Sequence, residues 1–307
     1  MEKIIRLFPP TIKQQLERKL IANWHALLEI RLRIGKRIEL NFIRQTEWID
    51  ELIFTENDRN YVLNQLSEHS LYRFETELRE GFITIKGGHR VGLAGKVTAL
   101  QHDVKGLQFI TSFNIRIAQQ MDGVAHSVIR HLYRYNQYLH TLIIGAPQSG
   151  KTTLLRDLCR LIGNGTSFVP AKKVAIIDER SEIAASKDGI PQFNVGYRTD
   201  VMDSCPKSVG MMMMIRSMSP DVIIVDEIGS KDDVRALLDV FHAGVTVICT
   251  VHGSSLAEVQ KRLSIRQLFQ DTIFKRYIVL SYDKTTGFTY DIFDEYKQCI
   301  SSFEGAL

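Results

Sequence analysis

Between the apolar run Leu142-Ile143-Ile144 and a helical pattern in Leu154, Leu155, Leu158, Leu161 and Ile162 stands Gly145-Ala146-Pro147-Gln148-Ser149-Gly150-Lys151-Thr152-Thr153. The spacing of Gly145, Gly150, Lys151 and Thr152 is the phosphate-binding loop signature, in the strand–loop–helix setting that gives it meaning. Glycines let the backbone wrap a polyphosphate so that successive N–H groups point inward, and the helix that follows adds the positive end of its dipole. Lys151 brings a point charge to β- and γ-phosphates, and Thr152 a hydroxyl to Mg²⁺. Residues 145–153 are therefore expected to bind ATP, with Thr152 on the metal. An ordinary glycine-rich turn is the rival reading, and the flanking strand and helix argue against it.

From residue 139 onward short apolar runs alternate with helical patterns, as in a parallel sheet covered on both faces. The runs are 141–144, 174–177, 222–225 and 245–250. In such a sheet, ligand-binding groups gather at the carboxyl ends of the strands. Val222–Val225 ends in Asp226-Glu227, where one carboxylate can enter the Mg²⁺ shell and its neighbour can polarise an attacking water. A solvent-facing capping pair is the alternative. Asp178-Glu179-Arg180-Ser181-Glu182 follows the second run and reads either as a catalytic acidic segment or as a solvated loop with an internal ion pair. His252, after the last run, reads either as a phosphate sensor or as a structural histidine. Arg198 and Arg216 read either as donors to a γ-phosphate in a neighbouring subunit or as partners in surface ion pairs. Met211–Met214 is taken as packing material on a helix. Ser230-Lys231-Asp232-Asp233 and Ser255-Leu256-Ala257-Glu258 predict capped helices. A β-hairpin is expected over 273–293, turning at Lys284-Thr285-Thr286-Gly287.

The N-terminal part has no catalytic motif. Ile12, Leu16, Leu20 and Trp24 form a helical stripe behind Pro9-Pro10, and Glu29–Ile34 alternates like a half-exposed strand that turns at Gly35-Lys36. Residues 57–80 read as helix, broken near Ser70, and Phe82–Ala94 as a hairpin around Gly87-Gly88. The glycines at 87, 88, 92 and 95 suggest a bulge or a close backbone approach. Thr111–Ile117 reads as a strand, followed by a hinge at Met121-Asp122-Gly123 and a helix over 124–138. A boundary near 120 divides a smaller α+β domain, 1–120, from 121–307. With no Pro- or Ser-rich linker, the two are expected to touch.

At 307 residues the chain is long enough for two domains, and 44% hydrophobic with 24% charged residues is ordinary globular composition. The net charge of +4 with pI ≈ 8.8 is mild and calls for no nucleic-acid partner. Cys159, Cys205, Cys249 and Cys299 form no Cys-x-x-Cys pair, which argues against a zinc site and fits a reducing compartment. The N-terminus does not read as a signal peptide, and no apolar run reaches the ~18 residues needed to cross a bilayer. Any membrane role is expected to be peripheral, through partners or the surface.

Arg216-Ser217-Met218-Ser219-Pro220-Asp221 leading into Val222–Ile228, Ala243-Gly244-Val245 through Thr250-Val251-His252, and Asp178–Glu182 together resemble elements of the type II and type IV secretion ATPases. More specifically, Gly196–Val201, Cys205-Pro206-Lys207, Val225–Gly229, Glu29–Arg33 and Gly87–Gly92 are similar to the stage III sporulation protein AA family. The resemblance implies an α/β fold with a RecA-like P-loop NTPase core and predominantly parallel sheet, preceded by the smaller α+β domain. It implies a Mg²⁺-dependent ATPase forming a ring homo-oligomer, a hexamer. Such a motor would serve membrane proteins of a secretion-like sporulation channel, in the mother-cell cytoplasm at the outer forespore membrane. It places His252 at the family's histidine box, Glu182 at the last glutamate of the acidic box, and Arg90 and Arg116 among the N-domain arginines that reach phosphate. The candidate site is thus Lys151, Glu179, Glu182, Glu227 and His252 for catalysis, residues 145–153 with Arg90 and Arg116 for ATP, and Thr152 with Asp226 for Mg²⁺. Asp226 stands where the secretion enzymes usually have Gly, and their tetracysteine module and long N-terminal extension are not seen. Two rivals are a nucleic-acid-dependent ATPase and a nucleotide-gated assembly scaffold with little turnover; no aromatic-plus-basic single-strand platform is visible for the first.

Overall fold

The structure, a computed structural model, describes residues 1–67, 81–100, 103–270, 273–283 and 287–304. These residues separate into two units, Met1–Gln119 and Gln120–Leu307.

The first unit begins with α1 (Glu2–Ile5) and α2 (Pro10–Leu20). Pro10 suits a helix start, where its missing N–H has no intrahelical partner to lose. Ile12, Leu16 and Leu20 are buried on one stripe. Trp24, expected to extend that stripe, lies instead in a separate 3₁₀ turn and is half-buried. β1 (Leu27–Arg33), β2 (Arg37–Phe42) and β3 (Thr46–Ile53) precede α3 (Glu56–Leu66), which is capped by a reciprocal Thr55–Asp58 box. The rest of the helix expected over 57–80, residues 68–80 with the break near Ser70, lies outside the described residues. β4 (Phe82–Ile85), β5 (His89–Leu100) and β6 (Asp103–Arg116) complete an antiparallel sheet ordered β3-β2-β1-β6-β5-β4. Along β1, Ile30 and Leu32 turn inward to pack with Leu16, Leu20, Val62 and Leu66, while Glu29, Arg31 and Arg33 turn outward. The register of β5 against β6 shifts around Gly95, the irregularity that the run of glycines suggested.

The second unit departs from expectation at its start. No helix spans 124–138. α4 (His126–Ile129) makes one turn, a 3₁₀ turn follows, and β7 (Tyr133–Arg134) pairs with β8 (Gln137–Tyr138). Tyr135 and Asn136 take φ of 51° and 62°, the left-handed pair that a tight two-residue hairpin needs to match strand twist. The apolar spacing of Val124, Val128 and Leu132 satisfies a helical period, and the turn chemistry at Asn136 overrides it.

Eight strands then form the main sheet: β9 (Thr141–Gly145), β10 (Val174–Asp178), β11 (Thr199–Asp203), β12 (Val222–Val225), β13 (Thr246–His252), β14 (Arg276–Asp283), β15 (Gly287–Phe293) and β16 (Cys299–Glu304). Their order is β11-β10-β12-β13-β9-β14-β15-β16. The first six run parallel, and β14, β15 and β16 pair antiparallel. The β14–β15 pairing confirms the hairpin, whose turn residues Lys284–Thr286 lie outside the described residues. α5 (Lys151–Asn164) covers one face, its Leu154, Leu155 and Leu158 packed with Ile143, Ile176, Ile224 and Ile248. α6 (Lys207–Met218) and α7 (Lys231–His242) cover the other, where Met211, Met214, Val234, Leu237 and Val240 meet Ile144, Ile177, Ile223 and Val247. Met211 and Met214 are therefore core. Each such buried aliphatic side chain stabilises by roughly 1.5–3 kcal/mol. The short helices α8 (Leu256–Gln260) and α9 (Gln267–Gln270) follow. Ser230 and Asp233 make the full reciprocal cap of α7. At α8 only half forms: Ser255 accepts the Glu258 N–H, but the Glu258 carboxylate takes the Ser254 N–H and Arg262 instead.

Candidate functional site

Because β9, β10, β12 and β13 run parallel, their carboxyl ends present Gly145, Asp178, Asp226 and His252 along one edge of the sheet. The turn from β9 into α5 requires glycine twice. Gly150 caps α5 at φ 88°, and a Cβ on Gly145 would stand 2.3 Å from Ser149 Oγ. Ala146, Pro147 and Gln148 form the exposed crest of the loop, with Gln148 at φ 61°, and Thr153 is half-buried in the first turn of α5.

Lys151 is buried, and burial lowers its pKa against the opposing pull of Asp226 and Glu227. Its Nζ donates to the carbonyls of Gly145 (2.9 Å) and Ala146 (2.7 Å) and to His252 Nδ1 at 3.2 Å. An ammonium has no acceptor to offer, so Nδ1 accepts and the imidazole proton sits on Nε2. From there it is donated to Glu227 Oε1 at 2.7 Å. Arg180 Nη1 holds the other Glu227 oxygen at 3.0 Å. Glu227 takes φ 50°, a left-handed conformation that costs a non-glycine residue energy and concentrates at functional sites. Its N–H donates to Thr250 Oγ1 at 2.8 Å. Thr250, fully buried, in turn donates to Asp226 Oδ1, and Thr152 Oγ1 donates to Asp226 Oδ2 at 2.9 Å.

Thr152 and Asp226 thus bring two hard oxygen donors together. Mg²⁺ takes oxygen ligands in near-octahedral geometry and retains several waters, so one or two protein ligands beside phosphate suit it. Among the described residues no group of three or more His, Cys, Asp or Glu is placed to hold a metal ion by itself.

Asp178, Glu179, Glu182, Asp226 and Glu227 line one cleft with Arg180 and Lys207. Glu179 is paired with Lys207. Asp178 is buried at the end of β10, and desolvation raises its carboxyl pKa although the N–H groups of Ala184, Glu182 and Ile183 pull it down. The cleft therefore gathers the acidic segment with Asp226 and Glu227. Arg90 and Arg116 belong to the first unit, opposite one another on β5 and β6. Arg90 stacks over Phe82, and Arg116 lies 3.9 Å from Glu29. Arg198 reaches the Ala171 carbonyl, and Arg216 sits exposed in the last turn of α6. Sequence reasoning assigns no part to Thr250 or Arg156, and gives Arg180 only an ion pair inside its own loop, whereas Arg180 reaches Glu227. A buried threonine in a strand reads as a β-branched core residue, and only the strand register places its hydroxyl between Asp226 and the Glu227 amide.

The family model described as sporulation stage III, protein AA, matches residues 1–300. The chain belongs to that family. Stage III sporulation protein AA of Bacillus subtilis (strain 168) is 46% identical over 305 residues, 99% of each chain. Among solved structures, the ATPase DotB of Legionella pneumophila superposes with a TM-score of 0.65 at 16% identity, covering 94% of this chain and 82% of DotB. The pilus retraction motor PilT, solved with bound ADP, gives 0.62 at 15% identity, covering 91% and 82%. At such identities the likeness shows the fold, a RecA-like P-loop NTPase core. No helix among the described residues of this family member is long and apolar enough to cross a membrane.

Proposed function

We propose that this chain is a Mg²⁺-dependent ATP hydrolase, working as a hexameric ring, that powers assembly of or transport through a membrane-spanning sporulation channel between mother cell and forespore. It would act from the mother-cell cytoplasm, held at the outer forespore membrane by partner proteins. The observation that carries this reading is the continuous polar chain from Lys151 through His252 to Glu227, beside Thr152–Asp226–Thr250, at the carboxyl edge of the sheet. Family membership supports the sporulation setting.

Lys151 and the amides of residues 146–153 hold the β- and γ-phosphates, whose oxygens take the place of the Gly145 and Ala146 carbonyls as acceptors for Nζ. Thr152 and Asp226 would hold Mg²⁺, which when bound neutralises charge developing on the phosphate oxygens. Glu227 orients the attacking water and accepts its proton. The His252 Nε2–H and Arg180 fix the direction of its carboxylate, and the Thr250 bond fixes its backbone. Glu179 and Glu182 line the same cleft and are the alternative bases. In the ring, Arg90 and Arg116 are assigned to phosphate. Glu227→Gln keeps the shape and loses the base, so turnover should fall about a hundredfold or more while nucleotide still binds. An unchanged rate would move the base to Glu179 or Glu182.

A further inference from the structure

The segment Glu182-Ile183-Ala184 lies in a connection with no helix or strand of its own, yet all six of its backbone polar groups are bonded. Asp178 Oδ1 accepts the Glu182 N–H at 2.8 Å, and Oδ2 accepts those of Ile183 at 3.0 Å and Ala184 at 2.8 Å. Arg156 Nη2 donates to the Glu182 carbonyl at 2.7 Å and Nε to that of Ile183 at 2.6 Å. The Ala184 carbonyl accepts from Gln192 and Phe193. Arg156 and Asp178 are both buried, and the Arg156 guanidinium lies 4.1 Å above the centre of the Phe193 ring. A buried guanidinium is costly unless its donors are used, and here the planar fork is spent on two consecutive carbonyls.

Arg156 also stands four residues after Thr152 on α5, so the two project from the same side of one rigid helix. Glu182, whose main chain Arg156 grips, lines the cleft that Asp226 and Glu227 share. We infer that Arg156 is a positioning residue for Glu182: it ties the backbone that carries this carboxylate to the helix that carries Lys151 and Thr152. Glu182 is thereby held at a set place relative to the phosphate loop instead of riding on a solvated loop. The inference rests on the ATPase reading above.

Full-length wild type, Arg156→Lys, Glu182→Gln and the double variant are compared for ATP turnover with Mg²⁺, with kcat and KM separated, and for hydrogen exchange at the amides of residues 182–184. Lysine keeps the charge but cannot span two carbonyls with a fixed fork. Arg156→Lys is expected to lower kcat about ten- to a hundredfold with KM within about twofold, the size typical of losing a supporting contact. Added to Glu182→Gln, it should cost less than about twofold more, because both act through one carboxylate. Amides 182–184 should exchange faster while those of Leu154 and Leu155 stay slow. Losses that multiply in the double variant, or a joint loss of kcat and KM with exchange spreading along α5, would overturn the inference. If the lysine variant does not fold, Phe193→Leu removes only the ring beneath the guanidinium and should lower kcat in the same direction; an unchanged kcat would count against the positioning role. Should the wild type turn over no ATP, the ATPase reading fails and the positioning role for turnover fails with it. The grip itself then stands or falls on exchange, and unchanged protection of 182–184 in Arg156→Lys rejects it.

Discussion

Thr152 and Asp226, 74 positions apart in the chain, meet in a 2.9 Å hydrogen bond at the point where α5 starts and β12 ends. Among the described residues the pair joins the first turn of the phosphate-loop helix directly to the residue that follows β12. Two oxygens so placed suit a hard divalent cation shared with a phosphate. Asp226→Asn keeps the hydrogen bond to Thr152 and removes the charge. Its affinity for ATP with Mg²⁺ present should weaken about ten- to a hundredfold, while affinity in excess chelator stays close to wild type. Fluorescence titration of a nucleotide analogue under both conditions checks this; equal weakening in both would take Asp226 out of the metal shell.

Thr250 joins Asp226 to the Glu227 main chain from inside the sheet. Thr250→Val preserves volume but strands the Glu227 N–H and removes one donor to Asp226. A buried group left without a partner costs about 1–3 kcal/mol. For the larger unit that is roughly 2–4 °C of melting temperature per kcal/mol. Scanning calorimetry should show the drop, Thr250→Ser should restore most of it, and a valine variant as stable as wild type would reject the hydroxyl's role.

Two histidines, His89 buried and His140 half-buried, set an acid limb to stability. His89 Nδ1 accepts the Ala118 N–H and His140 Nδ1 the Val247 N–H, each at 3.0 Å, so both rings are needed neutral. Burial lowers each from 6.5 to about 4. The unfolded chain takes up these protons near pH 6.5 and the folded chain only near pH 4, so the stabilisation is complete above pH 6.5 and is lost as pH falls through that window. For His89 the span is on the order of 3 kcal/mol. Urea midpoints should decline from about pH 7 to about pH 4.5, and less steeply in His89→Gln. Parallel slopes in the two proteins would contradict this.

What the sequence discloses here follows from how local each feature is. The phosphate loop is legible because Gly145, Gly150, Lys151 and Thr152 do their work at fixed spacing within one turn. The parallel strands are legible because Ile143, Ile176, Ile224 and Ile248 sit in unbroken apolar runs that only double-sided burial explains. Asp226 and Glu227 follow directly, as residues just beyond such a run. The false helix at 124–138 arises where Val124, Val128 and Leu132 keep helical spacing while Tyr135-Asn136 makes a hairpin turn. Thr250 and Arg156 are illegible for a different reason. Their partners lie 23–24 and 26–27 residues away, across strand registers that no local pattern records. Arg156, on a helix that also carries Asp157 and Arg160, reads as a side chain that reaches for solvent, whereas it is buried.

The central claim is that Lys151 and the loop around it form a cup for the polyphosphate of ATP. Isothermal calorimetry of full-length wild type and Lys151→Ala, titrated with ATP in Mg²⁺, tests it most directly. Loss of a charge-assisted contact of about 1.5–3 kcal/mol predicts saturable uptake by wild type and binding about tenfold or more weaker in Lys151→Ala. Equal binding by the two folded proteins, or no uptake by either, would contradict it.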